Sequence, residues 1–287
     1  MKFPKAIDYH KPGHPKVPNA MGIFYSISSV INWFVLIFFG IEGQRPLALA
    51  TSVLFGSNMG LFDDMVDLKW RYKAILPVFA ALPFIVLRPS GRTTVSFLFG
   101  GSLDLGELFF ILLVPIFVTV VVNSYNQLGG LNGLEVIPGI VILLALAIIS
   151  GNPVLLTVPI ISLLFLGYFA FTGKAFIGNV GSFSIGITIA IYAVLLNLKF
   201  FVIIAMLPFF LNSVMILFSR FFLNQTAETG IRKDGLLYAT QIRSVRTLLL
   251  KVKPMREREA VLVLSLIVVV FTVISYLVLT SFNLIVF

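Results

Sequence analysis

The chain has 287 residues, of which 59% are hydrophobic and 11% are charged, and it contains no cysteine. Because soluble domains carry roughly 25% charged residues, this composition excludes an ordinary soluble protein and indicates an integral membrane protein. The lack of cysteine excludes disulfides, thiolate metal sites and a cysteine nucleophile. The net charge of +9 is attributed to membrane topology and anionic headgroups, and not to nucleic-acid binding.

The first nineteen residues form a basic segment with four lysines and four prolines. The segment has no apolar h-region, so we do not expect a signal peptide. His10 and His14 invite a metal site, but Pro12 and Gly13 between them prevent a shared helix face. A surface or substrate-side position is expected for both histidines.

Long apolar runs then alternate with short polar breaks. Each run approaches the roughly 20 residues that a helix needs to cross a bilayer. The expected fold is an all-α polytopic membrane bundle with about nine transmembrane helices. The predicted spans are residues 20–40, 46–62, 74–88, 107–123, 136–150, 154–170, 181–198, 200–219 and 260–282.

The basic residues predict the orientation of these spans. Alternate loops on one side hold 17 of the 21 lysines and arginines. The positive-inside rule places that side in the cytoplasm, with a cytoplasmic N-terminus. We expect one integral-membrane domain over residues 1–287, in a cell membrane or, in a eukaryote, the endoplasmic reticulum.

Residues 63–73 concentrate charge at the end of a predicted span, with three aspartates and three cations in eleven residues. Charge at the edge of hydrocarbon is costly and indicates a functional site, although a solvated cytoplasmic turn is the alternative. Two further loops on the same side, 123–135 and 173–182, are rich in glycine and asparagine. Together with Lys73 and Lys174, they suit a phosphate-bearing ligand beside a divalent cation held by Asp63, Asp64 or Asp67.

These residues resemble the polyprenyl-phosphate N-acetylhexosamine-1-phosphate transferases, glycosyltransferase family 4. The resemblance is nearest to the branch that uses UDP-GlcNAc and dolichyl phosphate. It runs through residues 10–12, 63–73, 123–135, 175–178 and 253–258, which spans most of the chain. The aspartate stretch followed by Asn-x-x-Asn-x-x-Gly-Gly-x-Asn-Gly-Leu-Glu is the most specific part.

The resemblance implies an enzyme that transfers a sugar 1-phosphate from a UDP-sugar to a lipid phosphate and releases UMP. This is the first step of lipid-linked oligosaccharide synthesis. It implies Mg²⁺ or Mn²⁺ as cofactor and a cytoplasmic active site, and whether the chain forms a homodimer is left open. By similarity, Asp63 and Asp64 lie at the lipid phosphate and the cation, Lys73 neutralises phosphate charge, and Asn132 helps to recognise uracil. The expected substrate-binding residues are Asn126, Asn132, Gly133, Glu135, Lys174 and Arg220, and the expected metal ligands are Asp63, Asp64, Asn126 and Asn179.

The sequence also departs from the family pattern. Asn179 stands where the family has a metal-binding aspartate, and Phe221 and Phe222 follow Arg220 where it has a His-Arg pair. Asn19 replaces an expected glutamate, and the family's first helix is missing before His10. Because of these departures, the alternative function is that of an impaired or inactive family member that binds lipid or UDP-sugar. A transporter is a third possibility, although it does not explain three anion-suited loops on one face.

The loop at residues 220–259 is predicted to be cytoplasmic. Residues 235–253 mix leucines with Arg243, Arg246, Lys251 and Lys253, which predicts a basic amphipathic helix on anionic lipid. A partner-binding helix is the alternative. Arg232 and Lys233 are candidates for replacing the missing cations.

Overall fold

The computed structural model describes residues 4–96, 101–224 and 229–281. It is mostly helical, at 66%. The helices are α1 Gly22–Phe38, α2 Arg45–Val66, α3 Trp70–Ile75, α4 Pro77–Ala80, α5 Leu82–Leu87, α6 Val114–Leu128, α7 Ile137–Ile149, α8 Thr157–Phe171, α9 Gly178–Leu195, α10 Lys199–Ala205, α11 Leu207–Phe221, α12 Val245–Val252 and α13 Glu257–Ser281, with a π-helical turn Phe109–Leu113 before α6.

Every predicted span contains helix, but the helices differ in length. By length and composition, four helical segments of the described residues can cross a membrane, and the bent α10–α11 pair makes a fifth. Helices α1, α7 and α8 are apolar but shorter. The structure therefore supports a polytopic helical membrane protein, whereas the count of nine spans and the side of the N-terminus stay predictions.

Proline interrupts two of the predicted spans. The segment from α3 to α5 passes through Pro77 and Pro83, and α10 meets α11 beside Pro208 at an angle of 61°. Proline lacks the backbone N–H group that would continue the helical hydrogen bonds, so each break lies next to a proline.

Helix α9 is the centre of the bundle, with 89% of its residues buried. It packs against α1, α2 and α6. Gly56 and Gly60 let α2 approach closely, because a Cβ at Gly60 would lie 2.4 Å from the Asn179 carbonyl oxygen. This close crossing brings the C-terminal end of α2, with its aspartates, to the N-terminal end of α9.

The described residues also contain three antiparallel hairpins, so the all-α prediction is correct only in outline. Each hairpin pairs two short strands outside the bundle helices. The pairs are β1 Lys5–Ile7 with β2 Lys16–Pro18, β3 Thr94–Ser96 with β4 Ser102–Asp104, and β5 Thr229–Ile231 with β6 Leu237–Ala239.

The amphipathic helix predicted over residues 235–253 is shorter than expected. Gly235, at φ +80°, belongs to the turn between β5 and β6, and Leu237 pairs with Met255. The helix begins only at Val245, because Ser244 and Thr247 form a capping box there. That the helix lies on lipid stays a prediction.

Candidate active site

Asp63 lies at the end of α2 and is buried. One oxygen, Oδ1, accepts hydrogen bonds from Lys73 Nζ at 2.9 Å and from the Leu68 N–H at 2.9 Å. The other oxygen, Oδ2, is buried without a hydrogen-bond partner among the described residues. Burying an unpaired carboxylate oxygen is unfavourable, so this atom is a strong candidate for a ligand contact.

Asp67 ends α2 in the left-handed conformation, at φ +52°. Its Oδ1 lies 3.2 Å from Lys73 Nζ, and its side chain is 98% exposed. Lys73 therefore bridges a buried and an exposed carboxylate. After the turn at Asp67, α3 places Lys73 beside Asp63.

Asp64 caps the N-terminus of α9. Its Oδ1 accepts the Asn179 N–H at 2.9 Å, and its Oδ2 accepts the Val180 N–H at 3.0 Å. Gly178 makes this contact possible, because a Cβ there would lie 2.4 Å from Asp64 Oδ2 and its φ is +70°. A carboxylate at a helix N-terminus is stabilised by the free N–H groups and the helix dipole.

Two asparagines lie close to this cap. Ser182 Oγ donates to Asn126 Oδ1 at 2.6 Å and lies 3.3 Å from the Asn179 carbonyl oxygen. Asn126 lies in the last turn of α6 and Ser182 near the start of α9, so this hydrogen bond joins the two helices beside the Asp64 cap. Asn19, where a glutamate was expected, lies near the Asp64 carboxyl. We name Asp63, Asp64, Lys73, Asn126 and Asn179 the aspartate centre.

Glu135 neighbours the aspartate centre. Burial and, secondarily, the negative charge of Asp64 raise the pKa of its carboxyl to about 8, and a hydrogen bond from the Gly130 N–H opposes both. The carboxyl lies close to Gly129, where a Cβ would meet Glu135 Oε1 at 1.9 Å. At neutral pH this group is therefore mostly protonated and can donate a hydrogen bond.

Asn132 lies in a second cluster, formed with two carboxylates. Its Nδ2 donates to Asp8 Oδ2 at 2.9 Å and to Glu257 Oε1 and Oε2 at 2.9 and 2.8 Å. Its backbone N–H also donates to Glu257 Oε1 at 2.8 Å. Its Oδ1 is buried without a partner among the described residues. We name Asp8, His10, Lys11, Asn132 and Glu257 the Asn132 cluster.

The β1–β2 hairpin supplies the rest of this cluster. Lys11 Nζ lies 3.2 Å from Asp8 Oδ2 and donates to the Gly173 carbonyl oxygen at 2.9 Å. Burial, and secondarily the charge of Arg246, lowers the pKa of His10 to about 4, with Asp8 opposing, so the imidazole is neutral at pH 7. Asp8, His10 and Glu257 are spaced to hold a metal ion. However, Asn132 already donates to both carboxylates, and Lys11 pairs with Asp8.

Arg220 and Lys73 line the same pocket. The Arg220 guanidinium stacks on Trp70 at 5.2 Å, and Phe221 meets the same ring edge-on at 5.4 Å. Arg220 and Lys73 line an open pocket of about 470 Å³ together with Leu68, Lys69, Trp70 and Arg71. Two of the predicted basic residues, Lys73 and Arg220, thus meet at one pocket. Phe221 and Phe222 are exposed.

Two predicted residues stand apart from these contacts. Lys174 is exposed and lies over the Tyr168 ring at 5.0 Å. Gly133, at φ +92°, packs against Phe171. The sequence prediction also missed Asp8 and Glu257, and it included Ser182 only as part of the loop 173–182. The only sequence signal for Glu257 is its place in residues 253–258, which resemble the family, and the only signal for Asp8 is its nearness to His10.

Comparison with known proteins shows the family of this chain. The model of glycosyl transferase family 4 matches residues 46–197, which include the whole aspartate centre. The chain belongs to glycosyl transferase family 4.

Three relatives indicate the activities found in this family. The chain is 27% identical to a putative UDP-N-acetylglucosamine–dolichyl-phosphate N-acetylglucosaminephosphotransferase of Saccharolobus solfataricus, over 96% of this chain and 88% of the relative. It is 29% identical to the enzyme of that name in Dictyostelium discoideum, over 72% of this chain and 63% of the relative. It is also 29% identical to a phospho-N-acetylmuramoyl-pentapeptide-transferase of Streptococcus thermophilus, over 60% of this chain and 55% of the relative.

Proposed function

We propose that this protein transfers N-acetylglucosamine 1-phosphate from UDP-GlcNAc to a polyprenyl or dolichyl phosphate and releases UMP. The observation that carries the proposal is the aspartate centre, where Asp63 pairs with Lys73 and Asp64 caps α9. The names of the relatives support the choice of substrates.

The reaction joins one phosphate to another. An oxygen of the lipid phosphate attacks the β-phosphorus of UDP-GlcNAc, the bond from that phosphorus to the bridging oxygen breaks, and UMP leaves with the bond's electrons. Phosphoryl transfer requires mainly positioning and charge neutralisation. Lys73 supplies positive charge, and the two carboxylates orient Lys73 and the N-terminus of α9.

The donor set at the aspartate centre fits a divalent cation such as Mg²⁺ or Mn²⁺. Asp63 Oδ2 is buried and unpaired among the described residues, and hard cations prefer oxygen ligands. Asp63, Asp64, Asn126 and Asn179 would hold the ion. When bound, it would neutralise phosphate charge and polarise the phosphoryl oxygens. The amide of Asn179 contributes an oxygen without a full negative charge.

The remaining roles follow the same proposal. Asn132 recognises uracil, with Gly133 in the same loop, Glu135 donates a hydrogen bond near the phosphates, and Arg220 contacts an anionic group. Lys174 joins the site only when ligand binding moves its side chain from Tyr168. The active site faces the cytoplasm, since the loops on that side of the predicted spans carry 17 of the 21 lysines and arginines.

A second candidate function is binding without turnover. Asn179 removes one carboxylate, and Phe221 and Phe222 remove two cations expected at the pyrophosphate. Such groups act on charge that develops in the transition state, so their loss can slow the reaction while substrates still bind.

The test is UMP release by the purified protein in Mg²⁺ with UDP-GlcNAc and a polyprenyl phosphate. Release that requires the lipid phosphate is expected, and Asp64→Asn should abolish it. The matched control is Asp234→Asn, which changes an exposed carboxylate in the β5–β6 turn and should keep parental activity. Retained UDP-GlcNAc binding without turnover would favour the second candidate, and binding of neither substrate would contradict both.

A further inference from the structure

The Asn132 amide has all of its hydrogen-bond donors occupied by carboxylates. Its Nδ2 lies within 2.9 Å of oxygens from Asp8 and Glu257. Only an N–H group can approach carboxylate oxygens this closely in a favourable way, which fixes the orientation of the amide. The carbonyl oxygen must therefore point away from both carboxylates.

That carbonyl oxygen is the unsatisfied atom of the cluster. Asn132 is 4% exposed, and its Oδ1 has no partner among the described residues. A buried acceptor without a donor costs free energy, and a ligand N–H that reaches it recovers that cost. Asn132 is thus prepared to accept a hydrogen bond and has no free hydrogen to donate.

Glu257 contributes most to this orientation. It accepts from both the Asn132 side chain and the Asn132 backbone N–H, so it fixes the loop as well as the amide. It lies in the first turn of α13, a rigid position 125 residues away in sequence. Asp8 adds one contact from the β1–β2 hairpin, where Lys11 also pairs with it.

We infer that Glu257 is a positioning and specificity-determining residue, because it holds Asn132 as a pure acceptor for the imide N–H of uracil. This inference rests on the proposed function. Uracil carries a hydrogen on N3, whereas cytosine N3 is itself an acceptor. When the orientation of the Asn132 amide is fixed, its Oδ1 and cytosine N3 are both acceptors and cannot hydrogen bond to each other. Both atoms would stay unpaired, so cytidine nucleotides are rejected.

The test compares Glu257→Ala with Glu259→Ala, which removes an exposed carboxylate two residues further along the same helix. The measured quantities are the KM values for UDP-GlcNAc and for polyprenyl phosphate, and the ratio of dissociation constants for CDP and UDP. In Glu257→Ala, the KM for UDP-GlcNAc should rise about tenfold, as expected for one lost charge-assisted hydrogen bond, while the KM for the lipid stays unchanged. The ratio of the dissociation constants for CDP and UDP should fall, because the Asn132 amide can rotate once Glu257 is removed. Glu259→Ala should match the parent.

Glu257→Gln serves as the conservative variant. Its Oε1 can still accept from the Asn132 backbone N–H and from Nδ2, so most of the UDP preference should return. If Glu257→Ala raises both KM values equally and keeps the UDP preference, the residue acts only on stability and the inference is wrong. If the parent turns over UDP-GlcNAc but the variants leave nucleobase preference unchanged, only this inference fails. If the parent binds no uridine nucleotide, the proposed function fails with it.

Discussion

The aspartate centre and the Asn132 cluster each contain two carboxylates and a lysine. They differ in the kind of buried atom that has no hydrogen-bond partner among the described residues. In the aspartate centre, the unpaired buried atom is a carboxylate oxygen, Asp63 Oδ2. In the Asn132 cluster, Asp8 and Glu257 are occupied, and the unpaired buried atom is a neutral amide oxygen. The first arrangement suits a cation and phosphates, and the second suits a neutral group that donates a hydrogen bond.

We expect the largest effect from a substitution that fills the space beside Asp64 in the aspartate centre. In Gly178→Ala, the new Cβ would lie 2.4 Å from Asp64 Oδ2, at a residue with φ +70°. The carboxylate must shift, and a displacement of about 1 Å can cost about a hundredfold in rate. We expect UMP release to fall by about that factor. Gly91→Ala, with open space around its Cβ, is the control, and equal activity in both variants would contradict the cap at Asp64.

Lys73 is the next test of the same centre. In Lys73→Met, the buried Asp63 loses its cation, which should lower the free energy of unfolding by about 1–3 kcal/mol and also reduce turnover. Lys69→Met, at an exposed residue of the same segment, should leave stability near that of the parent. Thermal or denaturant unfolding in detergent measures the difference. Equal stability of the two variants would show that the ion pair contributes nothing.

The contribution of each aspartate to cation binding is separable. Asp63 has the free buried oxygen, Asp64 is engaged by two N–H groups, and Asp67 is exposed beside Lys73. We expect Asp63→Asn to weaken Mg²⁺ binding most, by about tenfold, and Asp67→Asn to weaken it least. Mg²⁺ titrations of the three variants and the parent measure this order. Identical affinities in all four would contradict a cation at this centre.

The smallest effect concerns Glu135, which lies beside the aspartate centre. Its folded-state pKa, about 8, is above its ordinary value of 4.5, so between these values the folded protein binds more protons than the unfolded chain. This group should therefore lower stability as pH rises from about 4.5 to 8. Glu135→Gln should remove that part of the slope in unfolding measurements. An unchanged slope would show that the carboxyl is ionised at neutral pH.

The two regions also differ in how far the sequence predicts them. The aspartates of the aspartate centre lie within one short stretch, and glycine and asparagine mark the loops that meet it, so the sequence carries local signals for Asp63, Asp64, Lys73 and Asn126. The contact of Glu257 with Asn132 joins residues 125 positions apart, and a single glutamate in a basic stretch gives no local sign of its partner. The β1–β2 hairpin and the turn at Gly235 were missed for a related reason, since hydrophobic periodicity is a weak guide for strands of three residues.

The measurement that tests the central proposal most directly follows the β-phosphorus of UDP-GlcNAc. With ³²P in the β-position, a polyprenyl phosphate and Mg²⁺, we expect all transferred label in a lipid-linked diphosphate sugar, with unlabelled UMP released in equal amount. Asp64→Asn should give neither product. Release of UDP with the label retained in the nucleotide would contradict sugar 1-phosphate transfer, and so would a parent protein that binds both substrates and moves no label.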